Sequence, residues 1–312
     1  MTGSHRLILS DHSAFPISPS EDPEERRQAF QAGIEAQVRS GLDIVTVGHG
    51  GSSNPLEVLF EGLEGLEPND ETVPLPTWGE IRGGTLTGPV RWTRALFRDD
   101  LKRAHEISGR PVKISLVGPL TLASVALDPR RVYGSLGARI EAFAQALAHE
   151  VEGLAEQGVD IIQIEEPWVL HRHSDFPRLR VGLTSIAEAK GEARLALGLT
   201  GSAICPLYDW LQNLPVDMLM LDLIQSPKLV NMISDRETSL VLGLGLIDHR
   251  SPALERAEDL TPLLDLLLDG ISAEEVHIQP AGSLASLSPS EAEAKLANLT
   301  GITRGYLSKG PR

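Results

Sequence analysis

The sequence predicts one α/β domain of the (β/α)8 barrel class, with an insertion after the second strand–helix unit. Eight short apolar runs along the chain are typical of buried strands, and stretches of helical period separate nearly all of them. An alternation of eight strands with helices favours a closed parallel barrel over an open sheet. The chain has 312 residues, which fits a single barrel of roughly 250 residues with insertions. We therefore expect residues 1–312 to form one domain.

The predicted strands are short apolar runs that end in glycine, proline or polar residues. They cover residues 6–9, 43–47, 112–117, 160–164, 194–197, 218–221, 240–242 and 276–278. The predicted helices have apolar residues at three- and four-residue spacing and cover 24–40, 135–157, 226–233, 254–268 and 288–299. Segment 64–92 is rich in proline and glycine and lacks a helical period. It is predicted to be the insertion, a hairpin at the barrel mouth.

The composition argues against several classes of partner. The chain carries 43 acidic and 28 basic residues, a formal net charge of −15, and no basic run. This balance argues against binding to nucleic acid or to an anionic membrane surface. No apolar stretch reaches the roughly 20 residues that span a bilayer, and residues 1–20 lack the apolar core of a signal peptide. We expect a cytoplasmic protein that binds a small molecule, with its oligomeric state left open.

The carboxyl ends of the predicted strands carry the candidates for chemistry, because barrels place functional residues there. After the fourth strand, the segment "IIQIEEPW" ends an apolar run in two adjacent carboxylates, Glu165 and Glu166, followed by Trp168. Glu166 is expected either to face the pocket with Glu165 or to pair with an arginine inside the barrel. Trp168 is expected either to form a wall on which a flat ring stacks or to cover the core.

Other strand ends supply further candidates. The third strand ends in "VGPLTLA", where Gly118 and Thr121 mark a turn into a helix. Backbone N–H groups at such a turn can hold an anion such as a carboxylate, and the alternative is a tight turn that Thr121 caps. His49 and His249 follow the second and seventh strands and are candidate polar groups of the pocket.

Five segments, in order along the chain, resemble the successive blocks of the cobalamin-independent methionine synthase catalytic domain. They are "QVRSGLDIVTVGHGGSSNPLEVLFEGLEGL" (37–66), "VGPLTLA" (117–123), "IQIEEP" (162–167), "LGLGLIDHRSP" (242–252) and "IQPAGSLASLSPSEAEAKLANL" (278–299). The resemblance covers most of the chain and is nearest to the short, single-barrel forms of that family. It implies a (β/α)8 barrel of the wider group shared with uroporphyrinogen decarboxylase, and a methyl transfer to a thiol.

The resemblance also implies a zinc ion, which in this family binds the thiol and holds it as a thiolate. The family's ligands are a His and a Cys two residues apart after the fifth strand, a Glu after the sixth and a Cys after the eighth. This sequence has Gly198, Thr200, Asp222 and Gly282 at those positions. Three of the four ligands are absent, so we expect no zinc site of the family type. Cys205 lies too far beyond Thr200 to substitute and is expected to be a small buried residue.

By the same resemblance, Glu165 stands where the family has an Asp that binds the amino group of the amino-acid substrate. The extra methylene of Glu165 changes how an ammonium is held and indicates a different ligand. Gly50 replaces a substrate-binding Glu of the long family members, and Ser13 keeps part of a contact to the substrate backbone. The candidate substrate contacts are Ser13, Gly118, Thr121, Glu165, Glu166, Trp168 and His249.

Three classes of function remain open. The first is a methyltransferase with a folate or corrinoid donor and an acceptor that needs no zinc, with Asp222, Glu165 and His49 as catalytic groups. The second is a metal-free decarboxylase of the uroporphyrinogen decarboxylase type, which the scarcity of Arg and Lys at the strand ends disfavours. The third is a non-catalytic binding protein that kept the barrel. His171 and His173 are either ligands of a replacement metal site near the two glutamates, or ordinary loop residues or substrate contacts.

Overall fold

The structure is a computed structural model that describes residues 5–17, 20, 22–48, 54–75, 78–236 and 238–309. Eight strands, numbered β1 to β8 in chain order, form the central sheet. They are β1 Arg6–Leu9, β2 Val45–Gly48, β3 Val112–Val117, β4 Ile161–Glu165, β5 Arg194–Leu199, β6 Met218–Asp222, β7 Val241–Ile247 and β8 Glu275–Pro280. Each of the eight strands overlaps one of the predicted apolar runs.

The eight strands close into a barrel. Each strand from β2 to β7 pairs in parallel with the next along the chain, and β1 pairs in parallel with β8. A parallel bridge between Ser10 and Ile44, just beyond β1 and just before β2, completes the ring. The predicted (β/α)8 architecture is confirmed, and the carboxyl ends of all the strands meet at one mouth.

Helices connect the strands. They are α1 Pro23–Arg39, α2 Glu57–Gly62, α3 Arg98–Ser108, α4 Pro119–Val125, α5 Leu136–Glu156, α6 Pro167–His171, α7 Phe176–Ala189, α8 Tyr208–Leu211, α9 Leu229–Asp235, α10 Ala257–Gly270 and α11 Pro289–Lys309. The five predicted helices correspond to α1, α5, α9, α10 and α11. Within the described part of the chain, no helix is long and apolar enough to cross a bilayer.

Two substantial helices, α3 and α7, were absent from the sequence prediction. The helix α3 has Leu101, Ala104 and Ile107 at three-residue spacing, which is typical of one helix face. The helix α7 also has helical spacing, at Leu179, Leu183 and Ile186, and the prediction overlooked both helices.

The strand β7 continues to Ile247, whereas the sequence predicts its end at residue 242. Glycine usually weakens a strand interior, but in this barrel the packing requires it. A Cβ atom on Gly243 would lie 2.1 Å from Met220 Sδ, and one on Gly245 would lie 2.6 Å from Ala281 Cα. Close approach of neighbouring elements therefore explains both glycines.

The segment predicted as an insertion forms an antiparallel hairpin of strands Leu63–Leu75 and Gly79–Trp92. The short strand Ala126–Leu127, which follows α4, pairs in parallel with Gly84 and Thr85 of the hairpin. The hairpin also packs against α5. It is therefore attached to the same side of the barrel as the connection between β3 and β4.

One buried carboxylate ties the hairpin to the barrel. Glu150 on α5 is 2% exposed and accepts a hydrogen bond from Trp92 Nε1 at 2.9 Å. It also accepts from the backbone N–H groups of Leu96 and Phe97, each at 2.9 Å. Because Phe97 immediately precedes α3, Glu150 joins the end of the hairpin, the start of α3 and the middle of α5.

The amino ends of the strands combine an apolar cluster with a charged group, in which Arg194 and the buried His277 contact Glu275. Ile44, Ile161, Ala196, Met218 and Met220 form a cluster there that is separate from the main core. The main core lies between the sheet and the surrounding helices. Polar side chains occupy the interior closer to the mouth, and they form the site described below.

Replacing Glu150 with Gln is expected to destabilise the fold by about 2 kcal/mol, because the amide nitrogen, a donor, would replace one of the two oxygens that accept from these N–H groups. Unfolding in urea measures this change. Glu152→Gln on the same helix is the matched control, since the Glu152 side chain is 65% exposed and such surface changes stay within about 0.5 kcal/mol. Equal stability of the two variants would contradict the anchoring role of Glu150.

Candidate functional site

Five buried polar side chains meet at the barrel mouth. We call them the mouth cluster: His12 after β1, Glu165 at the end of β4, Thr200 after β5, Asp222 at the end of β6 and Gln279 in β8. None of them is more than 6% exposed. Because polar groups this deeply buried require partners, the contacts of each residue define what the site can do.

His12 lies at the centre of the mouth cluster. Its Nδ1 atom is 3.0 Å from Gln279 Nε2, and its Nε2 atom is 3.2 Å from Thr200 Oγ1. The same Nε2 atom is 3.4 Å from Glu165 Oε1. The Thr200 hydroxyl donates to the Ala281 carbonyl at 3.1 Å, so its oxygen is the acceptor for His12. With the Gln279 amide donating to Nδ1, the neutral imidazole carries its proton on Nε2.

Protein donors surround the carboxylate of Glu165. Ser115 Oγ lies 3.4 Å from Glu165 Oε1, and the amide of Gln163 donates to the same oxygen. The Gln163 amide also donates to the His12 carbonyl at 3.0 Å. A Cβ atom on Gly198 would lie 2.6 Å from Glu165 Oε1. The glycine therefore leaves room for the longer carboxylate.

Glu166 caps the amino end of α4. It accepts from the backbone N–H groups of Leu120 at 2.9 Å and Thr121 at 2.8 Å, and from Thr121 Oγ1 at 2.6 Å. A Cβ atom on Gly118 would lie 2.2 Å from the Glu166 carboxyl carbon. The partner of Glu166 is thus a helix terminus and not an arginine. The donors expected to hold a substrate anion at this turn already hold the carboxylate of Glu166.

Burial also changes the acidity of Glu166. Its side chain is fully buried, and desolvation raises the pKa of Glu166 to about 7, although the donors of Thr121 and Leu120 act in the opposite direction. Glu166 therefore exchanges a proton near neutral pH.

Asp222 links the loops after β5 and β6. The backbone N–H of Gly201 donates to Asp222 Oδ2 at 3.0 Å, and the backbone N–H of Gln225 donates to Oδ1 at 2.8 Å. The Gln225 side-chain amide donates to Oδ2 at 2.9 Å. Burial raises the pKa of Asp222 above its usual range.

His249, in the loop after β7, offers a free nitrogen close to the mouth cluster. Within the described residues its Nδ1 atom is buried without a hydrogen-bond partner. Burial lowers the pKa of His249 to about 4, so the ring is neutral at pH 7. The backbone of Gly282 passes close by: a Cβ atom there would lie 2.9 Å from His249 Cε1 and 2.7 Å from Thr200 Cγ2.

The aromatic candidate after β4 is held by its own loop. Trp168 is half-buried, its indole N–H donates to Asp175 Oδ2 at 3.3 Å, and its ring centroid lies 5.0 Å from that of His171. His171 and His173 are both exposed. These two histidines therefore lie outside the buried mouth cluster.

The remaining candidates are less informative. Ser13 is buried directly after His12. Cys205 is half-buried at the start of the short 3-10 segment Cys205–Leu207. His49 and Gly50 lie outside the described residues.

Several residues of the site were missing from the sequence prediction, namely Asp11, His12, Lys113, Gln163 and Gln279. Lys113 is completely buried, and its ammonium donates to the Asp11 carbonyl at 2.6 Å. Burial lowers the pKa of Lys113 to about 8 and raises that of Asp11 to about 6. A signal for three of these residues exists in the sequence. Lys113, Gln163 and Gln279 alternate with apolar residues in strands, and such alternation in a buried barrel strand marks the face that points inside.

The residues at the family's zinc-ligand positions do not fit a zinc ion. Gly198 and Gly282 supply no side-chain donor, and the Thr200 hydroxyl is engaged with the Ala281 carbonyl. Both oxygens of Asp222 accept hydrogen bonds. Within the part of the chain that the structure describes, no group of three or more His, Cys, Asp and Glu side chains is arranged to hold a metal ion.

The fold and the site define a (β/α)8-barrel protein whose polar groups converge at the carboxyl ends of its strands. The model of the family described as "Cobalamin-independent synthase, Catalytic domain" matches residues 9–304. The chain belongs to this family, as the resemblance of the five segments predicts.

Known relatives agree with this assignment. The methionine synthase of Pyrococcus furiosus is 24% identical over 295 residues, covering 92% of this chain and 84% of that protein. That of Saccharolobus solfataricus is 24% identical over 299 residues, covering 94% of this chain and 88% of that protein. The solved structure of a B12-independent methionine synthase from Shewanella sp. W3-18-1, in complex with selenomethionine, is similar with a TM-score of 0.80. It is 22% identical and covers 97% of this chain and 99% of that one, which supports the fold.

Replacing Glu166 with Gln is expected to change how stability depends on pH. The pKa of Glu166 is raised from an ordinary value of 4.5 to about 7, so the native state binds this proton more tightly than the unfolded chain does. The stability contributed by this proton is present below the unfolded pKa and is lost as the pH rises through the folded pKa. Between pH 5 and pH 8 the Gln variant should therefore gain about 2 kcal/mol relative to the unmodified protein.

Urea unfolding at the two pH values measures this difference, and the other titrating groups cancel because they are common to both proteins. The exposed change Glu152→Gln serves as control and should show almost no relative shift. A stability difference between the Glu166→Gln variant and the unmodified protein that is the same at pH 5 and pH 8 would contradict the raised pKa.

Proposed function

We propose that this chain is a methyltransferase that carries out a methionine-synthase-like transfer and activates its acceptor with acid–base groups of the mouth cluster instead of zinc. The proposed methyl donor is a folate or a corrinoid, and both donor and acceptor are small molecules. Family membership and relatives named methionine synthase support methyl transfer. The metal-free part of the proposal rests on the family's zinc-ligand positions, where Gly198 and Gly282 offer no side-chain ligand and both oxygens of Asp222 accept hydrogen bonds.

The chemistry requires that the acceptor lose a proton. In the proposed reaction, the acceptor X–H gives its proton to a carboxylate of the mouth cluster, Glu165 or Asp222. A bond forms between X and the methyl carbon while the donor–methyl bond breaks, and its electron pair stays with the donor. The proton leaves on the demethylated donor or on water. A positioned general base contributes typically about 10²- to 10⁴-fold to such a reaction.

The cationic side chains near the mouth are already bound to other groups of the protein, which disfavours the decarboxylase alternative. A polycarboxylate substrate needs several of them as partners. The Arg250 guanidinium is bound to both oxygens of Asp248, at 2.9 and 3.0 Å, and Lys113 is committed to the Asp11 carbonyl. Both cations are therefore already engaged within the protein.

Protein purified without a histidine tag and without chelators is expected to contain far less zinc than the one ion per chain of a zinc site. Elemental mass spectrometry measures the content, and methyl transfer should be unchanged after treatment with a chelator. A sample incubated with zinc and then dialysed is the control for weak binding. About one zinc per chain, together with transfer that a chelator abolishes, would overturn the metal-free proposal.

Asp222→Asn is expected to lower kcat about 100-fold, because it removes a carboxylate that lies among the reacting groups. The assay follows labelled methyl from methyltetrahydrofolate or methylcobalamin to a panel of thiols. Asp235→Asn, the same chemical change at an exposed position, is the control and should retain full activity. Absence of transfer by the unmodified protein, without a shift in melting temperature for any donor or acceptor, would instead favour a non-catalytic role.

A further inference from the structure

His12 lies beside three of the four family-ligand positions, those of Gly198, Thr200 and Gly282. It contacts Thr200 directly at 3.2 Å. Gly282 packs on the same Thr200 side chain, and Gly198 packs on Glu165, the other neighbour of His12 Nε2. A side chain at either glycine would collide with the groups that His12 contacts. The imidazole and its partners thus fill the centre of the mouth.

The hydrogen bonds of the two ring nitrogens show which nitrogen of His12 can donate. Its Nδ1 atom accepts from the Gln279 amide, so Nε2 carries the proton and points toward Thr200 and Glu165. The Glu165 carboxylate also accepts from Gln163, whose amide is fixed in turn by the backbone carbonyl of His12. His12 therefore orients the Glu165 carboxylate in two ways. Its ring acts directly, and its backbone carbonyl acts indirectly by fixing the Gln163 amide.

The surrounding charges act on the same pair. Lys113 on β3 attracts Glu165 electrostatically, whereas the adjacent Glu166 repels it. On the opposite side, His249 is repelled by any positive charge on His12. A neutral imidazole whose Nε2–H is directed between Thr200 and Glu165 avoids this repulsion.

On the basis of the proposed function, we infer that His12 is the positioning residue of a metal-free base, and that its Nε2–H holds Glu165 to receive the proton of the methyl acceptor. Glu165 takes the proton from X–H as the X–methyl bond forms. The donor–methyl bond breaks with its electrons on the donor, and Glu165 then passes the proton to the demethylated donor or to water. Of the two carboxylates considered above, this inference assigns the proton to Glu165, and Asp222 holds the loop beside Thr200 by accepting from the N–H of Gly201.

Two substitutions of similar length test this role. His12→Gln keeps an amide N–H about as far along the side chain as Nε2, whereas His12→Met fills the space without a donor. With the donor and acceptor pair for which transfer is found, kcat should fall about 100-fold in the Met variant and stay within about tenfold of the unmodified protein in the Gln variant. KM should change little in either, because His12 acts through Glu165. His149→Gln, at a side chain 63% exposed, is the control.

Equal loss of kcat in the Gln and Met variants, or full activity in both, would overturn the inference. If the unmodified protein transfers no methyl group at all, the proposed function fails, and this inference fails with it. If the protein transfers methyl groups and the Met variant is as active as the unmodified protein, the inference about His12 fails alone.

Nuclear magnetic resonance of the unmodified protein, labelled with 15N-histidine, tests the tautomer of His12 directly. The His12→Gln variant serves only to assign the His12 signal, which is lost in it. A ring with its proton on Nε2 is expected. A ring with its proton on Nδ1 would point the donor at Gln279 and would overturn the positioning role.

Discussion

The burial of polar side chains inside the barrel mouth is the constraint on which the rest of the site depends. An unpaired polar group in such a position costs about 1 to 3 kcal/mol, so each side chain must be directed at a partner. Backbone carbonyls just after β1 supply two of those partners: that of Asp11 accepts from Lys113, and that of His12 accepts from Gln163. The short loop after β1 therefore fixes the orientation of side chains on β3 and β4, and through Gln163 it fixes Glu165.

Three glycines make this packing possible, and each lies against a different member of the polar set. Gly118 lies against the carboxyl group of Glu166, Gly198 against that of Glu165, and Gly282 against Thr200 and His249. A zinc site of the family type would require a His at the position of Gly198 and a Cys at that of Gly282, and both are larger than glycine. The side chains of Glu165, Thr200 and His249 therefore occupy the space into which a side chain at Gly198 or Gly282 would extend.

The eight strands could be predicted from the sequence because each is an apolar run long enough to be recognised locally. The helix α3 was overlooked: Leu101, Ala104 and Ile107 have helical spacing, but they are few in a helix of 11 residues, whose stability comes mainly from tertiary packing. For the site, strand ends indicated Glu165, Asp222 and His249, because barrels place function there. The partners were not predictable in this way. That Glu166 would bind the start of α4, and that His12 would meet Gln279, depend on which loops face each other across the closed barrel.

Under the proposed function, a base that works without a metal limits how weakly acidic the methyl acceptor can be. A carboxylate with an ordinary pKa of about 4.3 that takes a proton from a thiol with a pKa of about 8.5 works against about 6 kcal/mol. An amine-type acceptor whose proton has a pKa near 10.4 would add about 3 kcal/mol to this figure. Under the proposed function, thiols and groups at least as acidic are therefore the acceptors that a carboxylate base deprotonates at the lowest cost.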